Sequence, residues 1–142
     1  MTKKPGTHTN TIMALRSRAL GRYVVARAWK QSDADEHRVH HVTLVDKPVM
    51  VCRSAKTARL LVSMMPRRVM EMIAEARDSM DRAQTNLDNG IRAGWCAADL
   101  DHARRWIETL EARLVELDAL MSSPVDVVEV VITTTVVERV LP

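Results

Sequence analysis

The sequence contains no phenylalanine, and its aromatic residues are limited to Tyr23, Trp29, Trp95 and Trp106. Its interior must therefore be filled by aliphatic side chains and by the nine methionines. Glycine is also scarce, with four residues, and no GxGxxG, GxSxG or GxxxxGK[ST] pattern occurs. The chain thus lacks the loops that cradle phosphates and the turn that presents a catalytic serine.

Cysteine is equally rare, because Cys52 and Cys96 are the only two and no paired spacing relates them. We expect two free thiols in a reducing compartment, with Cys52 a buried structural thiol. No apolar run approaches the roughly 20 residues that a membrane span requires, so we expect no membrane insertion and a cytoplasmic location. The alternative is an organellar transit peptide, because residues 1–31 are rich in Arg and Lys and contain no Asp or Glu.

Charge is distributed unevenly along the chain. Residues 1–31 carry seven basic residues, whereas residues 69–122 carry six basic and eleven acidic ones. A basic segment with interleaved Tyr23 and Trp29 is typical of a surface that binds phosphates and stacks on bases. The candidate nucleic-acid-binding residues are Arg16, Arg18, Arg22, Arg27, Lys30, Lys56, Arg59, Arg67 and Arg68. The competing interpretation is a solvated basic face that balances the acidic second half of the chain.

The acidic half shows the clearest structural pattern, a heptad repeat. Apolar residues recur at alternating steps of three and four over residues 69–87 and again over residues 100–121. Pro66 suits the first turn of a helix, and residues 89–90 suit its C-cap. The pattern predicts an antiparallel helical hairpin at about residues 66–122.

Short β-branched segments surround the hairpin and predict a sheet. The predicted strands are residues 23–29, 38–45 and 48–53, and a long C-terminal strand at 125–140 with a bulge, a bend or a split in two near its threonines. We expect a basic arm or helix before the strands and a short separate helix, capped by Ser54, before the hairpin. Since no regular βαβ alternation occurs, the predicted fold class is α+β with an antiparallel or mixed sheet. Residues 1–10 are predicted to form a flexible basic tail and residues 11–142 a single domain.

Residues 33–41, DADEHRVHH, raise the question of a metal site. In a strand, His40 and His41 point to opposite faces, while His37 and His41 lie about 13 Å apart at about 3.3 Å per residue. A metal ion needs ligand atoms at roughly 2 Å. We therefore predict no metal site here, but an acidic turn that enters a strand.

The predicted function is a non-enzymatic one, because no catalytic motif occurs and the hairpin carboxylates fall on solvent-facing heptad positions. We expect no cofactor, no catalytic residue and no small-molecule substrate. The leading hypothesis is a macromolecule-binding or assembly protein of a bacterium or phage that is homo-oligomeric or binds a protein partner. The alternative is a DNA- or RNA-binding module. Methionines near the hairpin and a strand that is apolar on both faces favour a protein interface. Its candidate residues are Met70, Met80, Leu110, Leu114, Leu117, Val128, Val130 and Ile132.

Overall fold

The computed structural model describes residues 7–30 and 37–135, which form a four-stranded sheet and two helices. In chain order the elements are β1 (Thr7–Ser17), β2 (Tyr23–Lys30), β3 (His37–Val45), α1 (Ala55–Ala93), α2 (Ala97–Ser122) and β4 (Val125–Thr135). The strand order is β3-β2-β1-β4, and every neighbouring pair is antiparallel. The predicted α+β class is therefore confirmed, with an antiparallel rather than a mixed sheet.

β1 occupies the segment for which the sequence predicts a basic arm or helix, and that prediction is wrong. β1 pairs with β4 without interruption, from Thr7 opposite Thr135 to Ser17 opposite Val125. The segment contains three threonines and one isoleucine, which favour strands, and its one arginine, Arg16, comes at the C-terminal end. β1 also extends into the predicted tail, whereas residues 1–6 lie outside the described part of the chain.

β4 follows its prediction as far as the structure describes it. It begins at Val125 and continues to Thr135 in constant register with β1, so the predicted bend near the threonines does not occur in that range. Residues 136–140 of the predicted strand lie outside the described residues. The register shift of the sheet falls instead between β2 and β3, at Arg27 and Ala28.

Residues 48–53 do not form the predicted strand. A single antiparallel bridge joins Cys52 to Met13, and the Val51 N–H donates to the Met13 carbonyl at 3.0 Å. Pro48 has no N–H to give to a ladder, and the chain turns into α1 at Ser54, so few residues remain for regular pairing.

One continuous helix, α1, replaces the two separate helices that the sequence predicts. Ser54 caps it as expected, because its Oγ accepts a hydrogen bond from the Thr57 N–H at 3.2 Å. Pro66, the predicted helix start, lies inside α1 and leaves one helical carbonyl without its usual donor. A stripe of buried side chains runs across it from Ala58 to Val69, so packing outweighs the local break.

The predicted helical hairpin is confirmed, but its turn lies later than expected. α1 ends at Ala93, and Gly94 follows as C-cap with the left-handed φ of 72°, its N–H directed at the carbonyls of Gly90 and Ile91. Gly90, the predicted C-cap, stays within the helix. After Gly94 the chain turns back, and the backbone N–H of Trp95 donates to the Gly90 carbonyl at 3.0 Å.

Two hydrophobic cores hold the molecule together. The first joins the base of the hairpin to one face of the sheet, and its buried residues are Leu15, Val24, Ala26, Val39, Val42, Ala58, Leu61, Met65, Val69, Met72, Ile73, Ala76, Leu117 and Leu120. The second lies between the two helices alone, and its buried residues are Ala83, Leu87, Ala103, Ile107 and Leu110. All five occupy predicted heptad positions. Burying a leucine or isoleucine side chain stabilises the fold by about 1.5–3 kcal/mol, so the second core stabilises the half of the hairpin that projects beyond the sheet.

Candidate interaction surfaces

The predicted basic residues do not form one surface. Arg16 and Arg27 are exposed on the sheet face opposite to the one that carries Leu15. Lys56 and Arg59 are exposed on α1, which packs on the Leu15 face. The sheet therefore separates the two groups.

Arg18 is paired with a carboxylate of β4. Its Nη2 lies 2.7 Å from Asp126 Oδ1, and its Nε donates to Asp126 Oδ2 at 3.2 Å. The hydrogen bond from Arg18, together with its charge, lowers the pKa of the Asp126 carboxyl, and the same bond raises the pKa of Arg18. This exposed pair links the end of β1 to the start of β4.

Arg22 connects three elements of the fold. Its Nε donates to Asp46 Oδ1 at 3.0 Å, just after β3, and its Nη1 donates to Glu116 Oε1 of α2 at 3.3 Å. Its Nη2 also lies 3.5 Å from the Leu44 carbonyl. Its guanidinium is thus already matched by two carboxylates, which leaves little of it for a phosphate.

Arg67 and Arg68 are matched by carboxylates of their own helix. Arg68 Nη1 lies 3.2 Å from both Glu71 Oε2 and Glu75 Oε1, and Arg67 Nε lies 3.9 Å from Glu71 Oε1. The positive charges of Arg67 and Arg68 are therefore balanced by carboxylates on the surface of α1. The side chain of Lys30, another predicted residue, lies outside the described part of the structure.

A groove of about 390 Å³ lies between β3 and the base of the hairpin. Its charged and titratable lining residues are Arg22, Arg68, Arg113, His40, His41 and Glu116. Since Arg22 and Arg68 enter it with their carboxylate partners, the groove is close to charge-balanced. It does not have the concentrated positive charge of a strong anion site.

His40 and His41 of β3 do not converge on a metal ion. The rings of His40 and His41 lie 6.5 Å apart between centroids, at 43° to each other. His41 Nε2 is engaged locally, 2.6 Å from Thr43 Oγ1. Among the side chains that the structure describes, no three from His, Cys, Asp and Glu are grouped to hold a metal. The predicted acidic turn, residues 33–36, lies outside the described residues.

Both cysteines are free thiols, as predicted. Cys52 is half-buried rather than fully buried, and its Sγ donates to the Ser54 carbonyl at 3.1 Å. Cys96 is exposed at the N-cap of α2, where its side chain makes no capping hydrogen bond.

One face of the sheet carries three exposed arginines, one each on β1, β2 and β3. Arg16 lies opposite Tyr23 in the ladder and Arg27 lies opposite His41. Arg38 lies opposite Trp29, two residues along β2 from Arg27, and therefore belongs to the same face. All three arginines are exposed, and none forms an ion pair within 4 Å among the described residues. Arg16, however, lies opposite Asp126 on β4, and its charge adds to the lowering of that carboxyl's pKa by Arg18. Arg38 is absent from the predicted set, because only the cross-strand register reveals that it joins this face.

β4 is the edge strand of the described sheet, and β1 is its one neighbour there. Val131 is 58% exposed and Ile132 is 39% exposed. Val128 and Val130 are half-buried on the same face as Ile132. The predicted β4 interface residues therefore remain accessible along the strand.

The predicted interface residues of the hairpin divide between core and surface. Leu110 and Leu117 are each 4% exposed and belong to the two cores, while Leu114 and Met80 are half-buried beside them. Met70 is 61% exposed on the outer side of α1. Of these five, Met70 is the one that a partner reaches without disturbing the hairpin.

A groove at the tip of the hairpin has no counterpart among the sequence predictions. Trp95 and Trp106 line it and are 39% and 52% exposed. Asp99 and His102, which precede Trp106 by seven and four residues on α2, also line it. That helical spacing is the only signal of this groove in the sequence.

Neither α1 nor α2, the helices of the described residues, contains a stretch long and apolar enough to cross a bilayer. The two chain halves thus meet in one sheet and one projecting hairpin, with several exposed surfaces and no catalytic constellation among the described side chains. No protein-family model matches the chain, and comparisons with curated proteins and with solved structures find no significant match.

Proposed function

We propose that this protein is a non-enzymatic assembly protein whose primary contact is a second copy of itself, paired along β4. The character of that edge supports the proposal. β4 is eleven residues long, contains no proline and no register shift against β1, and exposes Val131 and Ile132. Soluble proteins usually shorten, bulge, charge or cover such an edge, because it templates pairing with another strand.

The direction of the backbone groups on β4 follows from its partner. The Val51 N–H donates to the Met13 carbonyl, so Met13 directs its N–H and C=O away from β4. Glu129, opposite Met13, must direct its own N–H and C=O to the free edge, since both groups of a residue in an antiparallel ladder point to one side. Val127 and Val131 do the same by the two-residue period. These groups suit an antiparallel pairing with a second β4 about a two-fold axis.

Light scattering after size-exclusion chromatography tests this pairing with a matched pair of variants. Val131→Pro removes an N–H that faces the free edge and spares the ladder with β1, whereas Val131→Thr keeps the N–H and the strand preference. We expect the wild type and Val131→Thr at twice the chain mass of 16.0 kDa and Val131→Pro at the chain mass, with unchanged circular dichroism. A wild type that stays at 16.0 kDa at all concentrations refutes self-assembly. A Val131→Pro variant that stays dimeric refutes the β4 interface.

Nucleic-acid binding is the second candidate, and the sheet face that carries Arg16, Arg27 and Arg38 favours it. Arg27 and Arg38 are exposed there without ion-pair partners among the described residues, Arg16 is exposed beside Asp126, and Tyr23 lies in the same ladder as Arg16. An exposed antiparallel sheet with cationic and aromatic side chains suits single-stranded nucleic acid, whose bases stack on rings while phosphates meet arginines.

Fluorescence polarisation at several salt concentrations tests this candidate with single-stranded and duplex oligonucleotides. We expect tighter binding to single strands, and the Arg16→Ala, Arg27→Ala, Arg38→Ala triple variant should reduce the salt slope by about 2, given roughly 0.7 per phosphate contact. Lys56→Ala with Arg59→Ala is the control, because these exposed cations lie on α1. No binding at about 50 mM salt, or equal losses in both variants, refutes the sheet-face candidate.

A further inference from the structure

The groove at the tip of the hairpin has a volume of about 500 Å³ and lies on the second core, away from the sheet and from β4. It is lined by Asn86, Trp95, Asp99, His102, Ala103 and Trp106. Its two tryptophans are half of the aromatic residues of the chain, yet neither is buried. Large aromatic side chains grouped at the surface are typical of binding sites, where they supply rigid apolar area.

Trp95 is held with one ring face inward. A Cβ placed on Gly90 would overlap Cε3 of the indole and would lie 2.6 Å from Cδ2 and 2.8 Å from Cζ3. Near-equal distances to Cε3 and its two ring neighbours place Gly90 beneath the ring face rather than at its edge. The opposite face of the indole is therefore the one that solvent reaches. This arrangement is fixed before any ligand binds by the hydrogen bond from the backbone N–H of Trp95 to the Gly90 carbonyl and by the left-handed conformation of Gly94.

Asp99 gives the groove its charge. It is the only lining residue with a formal charge when histidine is neutral, and it has no ion-pair partner among the described residues. The neighbouring carboxylate, Asp101, is engaged by Arg104 at 3.7 Å. The carboxylate of Asp99 is thus open to an incoming cation.

We propose that this groove binds an arginine side chain of a partner protein. The guanidinium stacks on the outward face of Trp95 beside Trp106, and Asp99 accepts two of its N–H donors. A planar, weakly hydrated guanidinium combines ring stacking with bidentate hydrogen bonding, which a lysine ammonium does not. A single carboxylate is too few ligands for a hard metal ion, which takes six or more oxygen atoms. The site is independent of self-assembly along β4.

Nuclear magnetic resonance of the full-length protein tests the site through the indole N–H signals. The probes are N-acetyl-arginine methylamide, the corresponding lysine derivative and the uncharged norleucine derivative. We expect saturable shifts of the Trp95 and Trp106 signals with the arginine probe, weaker shifts with lysine and none with norleucine. Asp99→Asn should weaken arginine binding about tenfold, as expected for a charge-assisted hydrogen bond. Trp106→Ala should weaken it about fivefold.

Glu111→Gln is the matched control, because it removes one exposed carboxylate of α2 outside the groove. It should leave the arginine affinity unchanged, and a loss as large as that of Asp99→Asn overturns the assigned role of Asp99. An equal response to the norleucine probe shows a purely apolar contact and overturns the proposal. The absence of a saturable shift with any probe does the same.

Discussion

Gly90 is the position where local helix preference and tertiary packing oppose each other most directly. It lies within α1, so alanine should stabilise the helix by about 1 kcal/mol. The added Cβ, however, would overlap the ring of Trp95. The indole must move off the helix to make room, and we expect the net effect of Gly90→Ala to be destabilising.

The magnitude follows from the covered area of Trp95. The residue is 39% exposed, so about 150 Å² of the roughly 250 Å² of a tryptophan is covered. At about 25 cal/mol per Å² this area contributes about 4 kcal/mol, of which the face over Gly90 accounts for about half. Losing about 2 kcal/mol and gaining about 1 kcal/mol leaves Gly90→Ala less stable by about 1 kcal/mol, or a Tm lower by about 4 °C.

Urea unfolding of a double-mutant cycle isolates the contact. In a Trp95→Ala background there is no ring to displace, so Gly90→Ala should now stabilise the protein by about 1 kcal/mol. Gly94→Ala is the control, since its cost comes from a φ of 72° with nothing within 4 Å and should be equal in both backgrounds. A Gly90→Ala variant that is stabilised in the wild-type background refutes the packing of Trp95 on Gly90. So does an effect of the same sign in both backgrounds.

Three further predictions concern the core, the exposed ion pair and the proline of α1. Leu110→Ala should lower the free energy of unfolding by about 2–5 kcal/mol and Val115→Ala by less than about 0.5 kcal/mol in chemical denaturation, because Leu110 is 4% and Val115 69% exposed; similar losses would contradict the assigned core. Arg18 lowers the pKa of Asp126 below its ordinary 3.8, so the pair's stabilisation is present above that pH and is lost as pH falls through the lowered value. Wild type and Asp126→Asn should therefore differ in urea midpoint at pH 6 and converge near pH 2, and a difference that grows on acidification contradicts this sign. Pro66→Ala should increase the free energy of unfolding by about 1–3 kcal/mol and so raise the Tm, because it restores a helical hydrogen bond. An unchanged or lower Tm would show that the helix depends on the proline.

The hairpin was predictable because its information is local. Apolar side chains at alternating steps of three and four lie on one side of any helix, so Ala83, Leu87, Ala103 and Ile107 identify the contact stripe without knowledge of the partner. The helix boundaries were less accessible. Pro66 and Gly90 are both typical of helix ends, yet a continuous buried stripe carries α1 across the first, and the Trp95 ring requires the second inside the helix.

β1 was not predictable in the same way, because its main partner is distant in sequence. Thr7 pairs with Thr135 and Ser17 with Val125, and the local sequence of neither strand identifies the other as its partner. The local signals were mixed, because residues 7–17 combine strand-favouring threonines with an arginine and lie in the basic N-terminal segment. Strand pairing over such a separation depends on the whole fold.

The predicted basic surface depended on contacts that composition does not contain. Arg18 meets Asp126 and Arg22 meets Glu116 across separations of 108 and 94 residues, so two candidate phosphate ligands are matched by carboxylates from the acidic half. Arg38 joins Arg27 only through the register of β2 and β3. Charge counts along the chain indicated the balance between the halves and not which cations remain exposed.

The antiparallel ladder between β1 and β4 also sets the order in which the protein is completed during synthesis. The 108 positions from Ser17 to Val125 must be translated before the last strand emerges, which takes about 5–20 s at 5–20 residues per second. Until then β1 has short contacts with β2, Leu15 with Val24 and Arg16 with Tyr23. The second helix of the hairpin ends at Ser122, just before β4, and helical hairpins fold in microseconds to milliseconds once both helices are present. When α2 has been completed, the nascent chain therefore has both helices of the hairpin and a sheet that still lacks β4. Thr7 and Thr135 therefore become neighbours only at the final step of synthesis.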